Sequence, residues 1–202
     1  MSGDTHQSAN GGTTSGADVD VPTLLARLDD PDPDVSAEAV ETVREVVEND
    51  PRRCLPTVPK LRELLEQSSL DCHESVAYCL AALAAVSPAD VAPSTDAVVR
   101  FVRSRPSHPG RTHALRCLAR IAEARPDTVV GHIDVLVDAL EDADAGLGPA
   151  GVTLFATLST THPSAIEPAT GLLEAVLEND PAPTVRDRAE LALGGRSRVP
   201  VE

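Results

Sequence analysis

Residues 172–194, LLEAVLENDPAPTVRDRAELALG, decide the fold. Leu173, Val176 and Leu177 share one helical face, the Asn179-Asp180-Pro181 run stops that helix, and Val185, Ala189 and Leu193 begin a second apolar face at four-residue steps. Two short helices joined by a tight turn run antiparallel. Such a pair cannot bury its apolar stripe alone, so the pattern has to recur elsewhere in the chain.

It does recur, upstream, four times. Pro51, Pro88, Pro126 and Pro163 stand 37, 38 and 37 residues apart. Ten, thirteen and fourteen residues after them come Leu61, Leu64, Leu65; Val98, Phe101, Val102; Leu136, Ala139, Leu140; and Leu173, Val176, Leu177. A second register starts sixteen residues before each proline, at Val35, Cys72, Gly110 and Leu147, with Val185 as its fifth member. Four, eight and eleven residues on lie Ala39, Val43, Val46; Val76, Leu80, Leu83; Ala114, Leu118, Ile121; Gly151, Phe155, Leu158; then Ala189 and Leu193. Each unit reads as a first helix ending near Leu28, Leu65, Val102, Leu140 or Leu177, and a second starting about seven residues later. The turns DDPDPDVS (29–36), QSSLDCHE (67–74), RSRPSHPG (103–110), EDADAGLG (141–148) and ENDPAPTV (178–185) carry the Asp, Ser, Pro and Gly that stop one helix and cap the next. No alternating β-branched run bounded by hairpin dipeptides occurs, which argues against a sheet.

Composition agrees with thin helix pairs. Tyr78, Phe101 and Phe155 are the only aromatics among 202 residues, so the core must be Leu, Val and Ala. Seventeen Lys+Arg against 32 Asp+Glu give a net charge of −15, which disfavours unaided attraction to nucleic acid or anionic lipid. No stretch reaches the roughly 18–20 apolar residues of a membrane span, and MSGDTHQSANGGTTSGADVD (1–20) has no basic or apolar signal region, so a cytoplasmic location is expected. Lys60 is the only lysine, and Asp exceeds Glu, a bias that resembles proteins of salt-loving archaea, where high salt screens self-repulsion.

The segments LLARLDDPDPDVSAEAV (24–40) and 172–194 resemble the HEAT repeat: a Leu-rich first helix, an Asp/Pro turn, then Val-Arg, Ala and Ala-Leu-Gly positions. The resemblance covers about 22–194. The Val-Arg step departs from it, becoming Cys72-His73 and Gly110-Arg111, and Gly146, Gly148 and Gly151 loosen the fourth unit. It implies an all-α solenoid of about five antiparallel helix pairs, in units 21–50, 51–87, 88–125, 126–162 and 163–195, with second helices lining a concave docking side. Residues 1–20 are expected to be a disordered tail and 196–202 a short C-terminal one.

Positions three, six, ten and thirteen after each second-helix start fall off the buried face. They read Glu38, Glu41, Glu45, Glu48; Ser75, Tyr78, Ala82, Ala85; His113, Arg116, Arg120, Glu123; and Ala150, Thr153, Thr157, Thr160. The third unit stands out: Arg100, Arg103, Arg105, Arg111, Arg116, Arg120 and Arg125 are opposed there only by Glu123. These arginines either balance the acidic first unit, grip an acidic or phosphorylated partner, or touch nucleic acid, the last disfavoured by acidic flanks and scarce aromatics. Tyr78 is either an interface anchor or packed against the next helix. The candidate partner-binding set is Tyr78, His113, Arg116, Arg120 and Arg111.

Motifs for chemistry are absent. Cys54, Cys72, Cys79 and Cys117 form no C-x-x-C pair and read as small core thiols. His73-Glu74 is a lone pair, whereas the HEAT-like deoxyhypusine hydroxylases carry several to hold two irons, and nothing marks the bilin site of the phycobilin lyases that share the repeat. Gly146-Leu147-Gly148 lacks the Lys-Ser/Thr of a phosphate loop. The expectation is a non-enzymatic scaffold or adaptor with no cofactor or metal, binding a protein along the second-helix ridge. The alternatives are a lyase- or metalloenzyme-related protein, or a regulatory subunit assembling through an open C-terminal end beyond Gly194-Gly195.

Overall fold

The structure is a computed structural model that describes residues 20–68, 70–141, 147–180 and 182–194. All but Asp20 of the expected tail 1–20, the whole of the expected tail 196–202, and Gly146 and Gly195 lie outside the described residues. Ten of the helices alternate along the chain as first and second helices: α1 (Val21–Leu28) and α2 (Pro33–Asn49), α3 (Val58–Glu66) and α4 (His73–Val86), α6 (Thr95–Ser104) and α7 (Arg111–Ala124), α9 (Ile133–Glu141) and α10 (Gly148–Thr161), and α11 (Thr170–Asn179) and α12 (Pro183–Gly194). In the first, second, third and fifth units the two helices pack directly on each other. First helices stack in the order α1, α3, α6, α9, α11 and second helices in the order α2, α4, α7, α10, α12. The result is a two-layered α-solenoid, with no strand among the described residues.

Local chemistry sets the helix starts. Asp20 Oδ2 accepts from the Thr23 backbone N–H at 3.2 Å and Asp32 Oδ1 from that of Asp34 at 3.0 Å, each just ahead of a proline in the first turn. One feature exceeds the expected helix pairs. Units two to four open with an extra helical segment at their phase-setting proline: the 3₁₀ turn Pro51–Thr57, α5 (Pro88–Val91) running into Ala92–Ser94, and α8 (Pro126–Val130). The segment stays separate because Pro56, Pro93 and Gly131 stand five residues after Pro51, Pro88 and Pro126. A proline there has no N–H for the helical ladder, and glycine weakens it, so the chain bends before the longer first helix. Pro168, five after Pro163, falls in a 3₁₀ turn at Glu167–Ala169.

Between the layers runs one continuous apolar core, in which Leu61, Leu80, Leu83, Leu118, Ile121, Leu136, Phe155, Leu158 and Leu173 are buried. The repeated faces meet there as the periodicity requires. Gly110 takes a position held by Val35, Cys72, Leu147 and Val185 in other units because α4 comes too close for more: a Cβ on it would stand 3.0 Å from Glu74 Cα. Cys54, Cys79 and Cys117 are buried; burial pushes the Cys79 thiol up and the Cys117 thiol up to about 12, so both stay protonated and unreactive.

On the first-helix side, successive units are joined by polar contacts, two of them ion pairs. Lys60 reaches Asp29 at 2.7 Å, Arg100 pairs with Glu66, and His132 Nε2 lies 3.1 Å from Asp96. No helix among the described residues is long and apolar enough to cross a membrane.

Candidate functional site

The second-helix layer carries a groove of about 500 Å³ that spans four successive second helices. From α4 come Tyr78, Ala81, Ala82 and Ala85; from α7 His113, Arg116, Arg120 and Glu123; from α10 Thr153; and from α12 Arg188. Four of the five candidate residues therefore meet in one groove. Their common spacing places them there, because residues three, six and ten positions into each second helix face away from the buried stripe.

The Tyr78 ring is fixed from two sides. The Arg44 guanidinium lies 4.9 Å from its centroid, and His113 approaches edge-on at 5.3 Å. Half-burial lowers the His113 pKa below the ordinary histidine value, and the charge of Arg116 lowers it further, so near neutral pH the ring is a neutral edge beside Tyr78. Tyr78 is thus both packed against its neighbour helix and open to the groove.

The groove's cations differ in how they are occupied. Arg120 Nη1 donates to both oxygens of Glu123, at 3.0 and 3.1 Å. Arg188 Nη1 donates to the neutral Thr153 Oγ1 at 2.7 Å, and neither Arg188 nor Arg116 has a carboxylate partner among the described residues. Two guanidinium charges in the groove are thus without an ion-pair partner among the described residues, in a chain of net charge −15.

Arg111 does not join them. It is the first residue of α7, only 5% exposed, and its Nη1 donates to the Pro106 carbonyl at 3.2 Å under the Pro106–Pro109 turn. It lines a smaller cavity of about 240 Å³ beside Leu147 and Pro149. Nor do the seven arginines of the third unit form one patch. Arg100 is turned to the first-helix side and Glu66, Arg105 lies 5.5 Å from the Phe101 ring, and only Arg116 and Arg120 line the groove. Two expected ridge residues are also buried, Ser75 at 6% and Ala150 at 8%, because adjacent second helices close over them; Arg44 Nη1 reaches across from α2 to donate to Ser75 Oγ.

His73, the histidine of the lone His-Glu pair, is used by the fold. Its Nε2 lies 2.6 Å from the Gln67 carbonyl, to which it donates, and its Nδ1 accepts from Arg105 Nη1 at 2.8 Å, tying the turn before α4 to the turn after α6. Both ring nitrogens are engaged, so neither is available to a metal. Among the described residues no cluster of three or more His, Cys, Asp or Glu side chains is placed to hold an ion.

Known structures share this arrangement. The fold is an armadillo-like α-solenoid. The chain is similar to computationally designed armadillo repeat proteins for modular peptide recognition, with a TM-score of 0.75 at 17% identity over 87% of this chain and 82% of the other. It is similar also to a designed armadillo repeat protein solved with a (KR)4 peptide, TM-score 0.71 at 17% identity over 87% and 81%, and to an engineered protein, TM-score 0.71 at 22% identity over 89% and 81%. No family model matches the chain, and no curated protein matches it. The short segment opening units two to four is in keeping with these relatives, since armadillo-type repeats add a third helix to the HEAT-type pair.

Arg188 was missed in the sequence although the signal was present. It stands three residues after Val185, the offset that selects Glu38 and His113 in earlier units, and the rule had only to be carried into the fifth.

Proposed function

We propose that this protein is a non-enzymatic scaffold that holds an extended, acidic segment of a partner protein in the second-helix groove. The observation that carries the reading is the pair of guanidiniums, Arg116 and Arg188, that face one groove and have no carboxylate partner among the described residues of a carboxylate-rich chain. Arg120 adds a third charge once Glu123 gives way. Designed relatives of this fold are described as recognising peptides, one of them the basic (KR)4; the cationic groove here calls for the opposite sign. Adjacent packed helices lie about 8–10 Å apart, so four second helices span about 24–30 Å, the length of about seven to nine extended residues.

Fluorescence anisotropy with a labelled nine-residue Asp/Glu peptide tests this. Joint Arg116→Glu and Arg188→Glu substitution is expected to weaken binding by at least about a hundredfold, since each reversal replaces a charge-assisted contact by repulsion. Glu123→Gln is expected to tighten it several-fold by freeing Arg120, and added salt to weaken it in every case. Equal affinity of the native chain and the double variant ends the proposal.

A second reading, assembly through the outer face of α12, is favoured by Leu191, which is 61% exposed and is the exposed large hydrophobic side chain among the described residues. Sedimentation velocity over a wide concentration range distinguishes it: association in the native chain that Leu191→Glu abolishes supports it, and a strictly monomeric native chain removes it.

A further inference from the structure

The groove is chemically lopsided, and the asymmetry runs along the stack. At one side α4 contributes Tyr78, Ala81, Ala82 and Ala85, none of them charged. Beyond α4 lies α2, whose outward positions are Glu38, Glu41, Glu45 and Glu48. Toward the other side α7 and α12 supply Arg116, Arg120 and Arg188. Arg44, the α2 cation over Tyr78, lies 3.9 Å from Glu41 and is offset by it, so an acidic segment is drawn toward α12 and gains least from a carboxylate laid against α4.

Resting on the peptide-binding reading above, we infer that the bound segment carries a bulky apolar residue beside its acidic ones, seated against the α4 wall at Tyr78, Ala82 and Ala85 while the carboxylates reach Arg116, Arg120 and Arg188. Three features fit that residue to that place. Tyr78 and Ala82 are half-buried and packed against the apolar core, with Ala85 exposed beyond them, so covering this wall removes apolar surface on both partners from water. Tyr78 is already held by Arg44 and His113, so it loses little freedom when a side chain packs on it. The small Ala82 and Ala85 leave depth beside the ring instead of filling it. Large apolar side chains in such a setting, ringed by charge, are the usual centres of binding energy, with the surrounding charges setting orientation and on-rate.

The test uses the full chain and labelled nine-residue peptides: one with a Phe next to a run of Asp and Glu, a second with that Phe replaced by Ala, and a third with Phe kept and the acids replaced by Asn and Gln. Each is made with the Phe at either end. For the better-binding order, Phe-to-Ala replacement is expected to weaken binding by about tenfold or more, the range for one buried apolar side chain. The neutral peptide is expected not to bind measurably. Ala82→Gln with Ala85→Gln, both facing the groove and neutral in charge, is expected to bring the Phe and Ala peptides to equal affinity, a loss of preference read as a ratio within the one variant. If the Phe and Ala peptides bind the native chain equally, the anchor is wrong and the acidic groove stands. If no acidic peptide binds at all, the underlying reading falls and the anchor with it.

Discussion

Phe155→Ala is expected to lower the unfolding free energy by about 3–5 kcal/mol, the range for deleting a fully buried aromatic ring. Phe155 is the largest wholly buried side chain, with no exposed surface, and it sits on α10, the second helix packed between α7 and α12. The site has little means of collapsing, because the core it belongs to is already filled by wholly buried side chains such as Leu118, Leu154 and Leu158. Total stability of a domain this size is about 5–15 kcal/mol, so the loss is a large share of it. In a solenoid each unit is held by its neighbours, so the damage is expected to divide the molecule at α10 and make unfolding less cooperative. Urea unfolding followed by circular dichroism at 222 nm checks both effects. A midpoint shift under a quarter of the native value, with an unchanged slope, contradicts them.

The second large effect is on pH. Burial, and the permanent charge of Arg105 at Nδ1, hold the His73 pKa below the ordinary value of about 6.5. Protonation needs a hydrogen on the atom that now accepts from Arg105, so the folded state resists it. The unfolded chain does not, and as pH falls below about 6.5 it takes the proton first. Stability fully present above that pH is therefore lost progressively as pH falls toward the folded pKa. Burial lowers His108 and His113 as well, with Arg105 and Arg116 adding to it, and their contributions have the same sign. The urea midpoint is expected to fall between pH 7.5 and 5.5, a window above most carboxylate titration. His73→Gln, which keeps a donor and acceptor but cannot titrate, is expected to reduce that slope and leave the share of His108 and His113. A midpoint constant over the window overturns the assignment.

Most of the fold was legible because the signal was repeated. A single Leu at helical spacing means little, but Leu61, Val98, Leu136 and Leu173 at one offset from four prolines leave few alternatives to stacked helix pairs. What the period hid was the break five residues after each proline. Pro56, Pro93, Gly131 and Pro168 repeat as faithfully as the leucines, yet they act by withholding helix, and an apolar pattern does not register that. The site was read one helix at a time, and the errors follow from that. Helical angle alone places Ser75 and Ala150 on a surface, and only the adjacent second helix shows them covered. Charge counting along the chain gathers seven arginines that the turn between α6 and α7 distributes over both faces and the interior. The residues that stayed together, Tyr78, His113, Arg116 and Arg120, are those whose offset, not whose charge, selected them.

The ion pairs of the first-helix side have a mechanical meaning. Lys60 to Asp29 and Arg100 to Glu66 each join one unit to the one before it, and both are reached by solvent ions. The contacts between second helices are mainly apolar, and the arginines that cross between them, Arg44 to Ser75 and Arg188 to Thr153, reach neutral hydroxyls, so screening affects them less. Ionic strength is therefore a bending force on the molecule: it slackens the seam on the far side of the stack and leaves the seam beneath the groove taut.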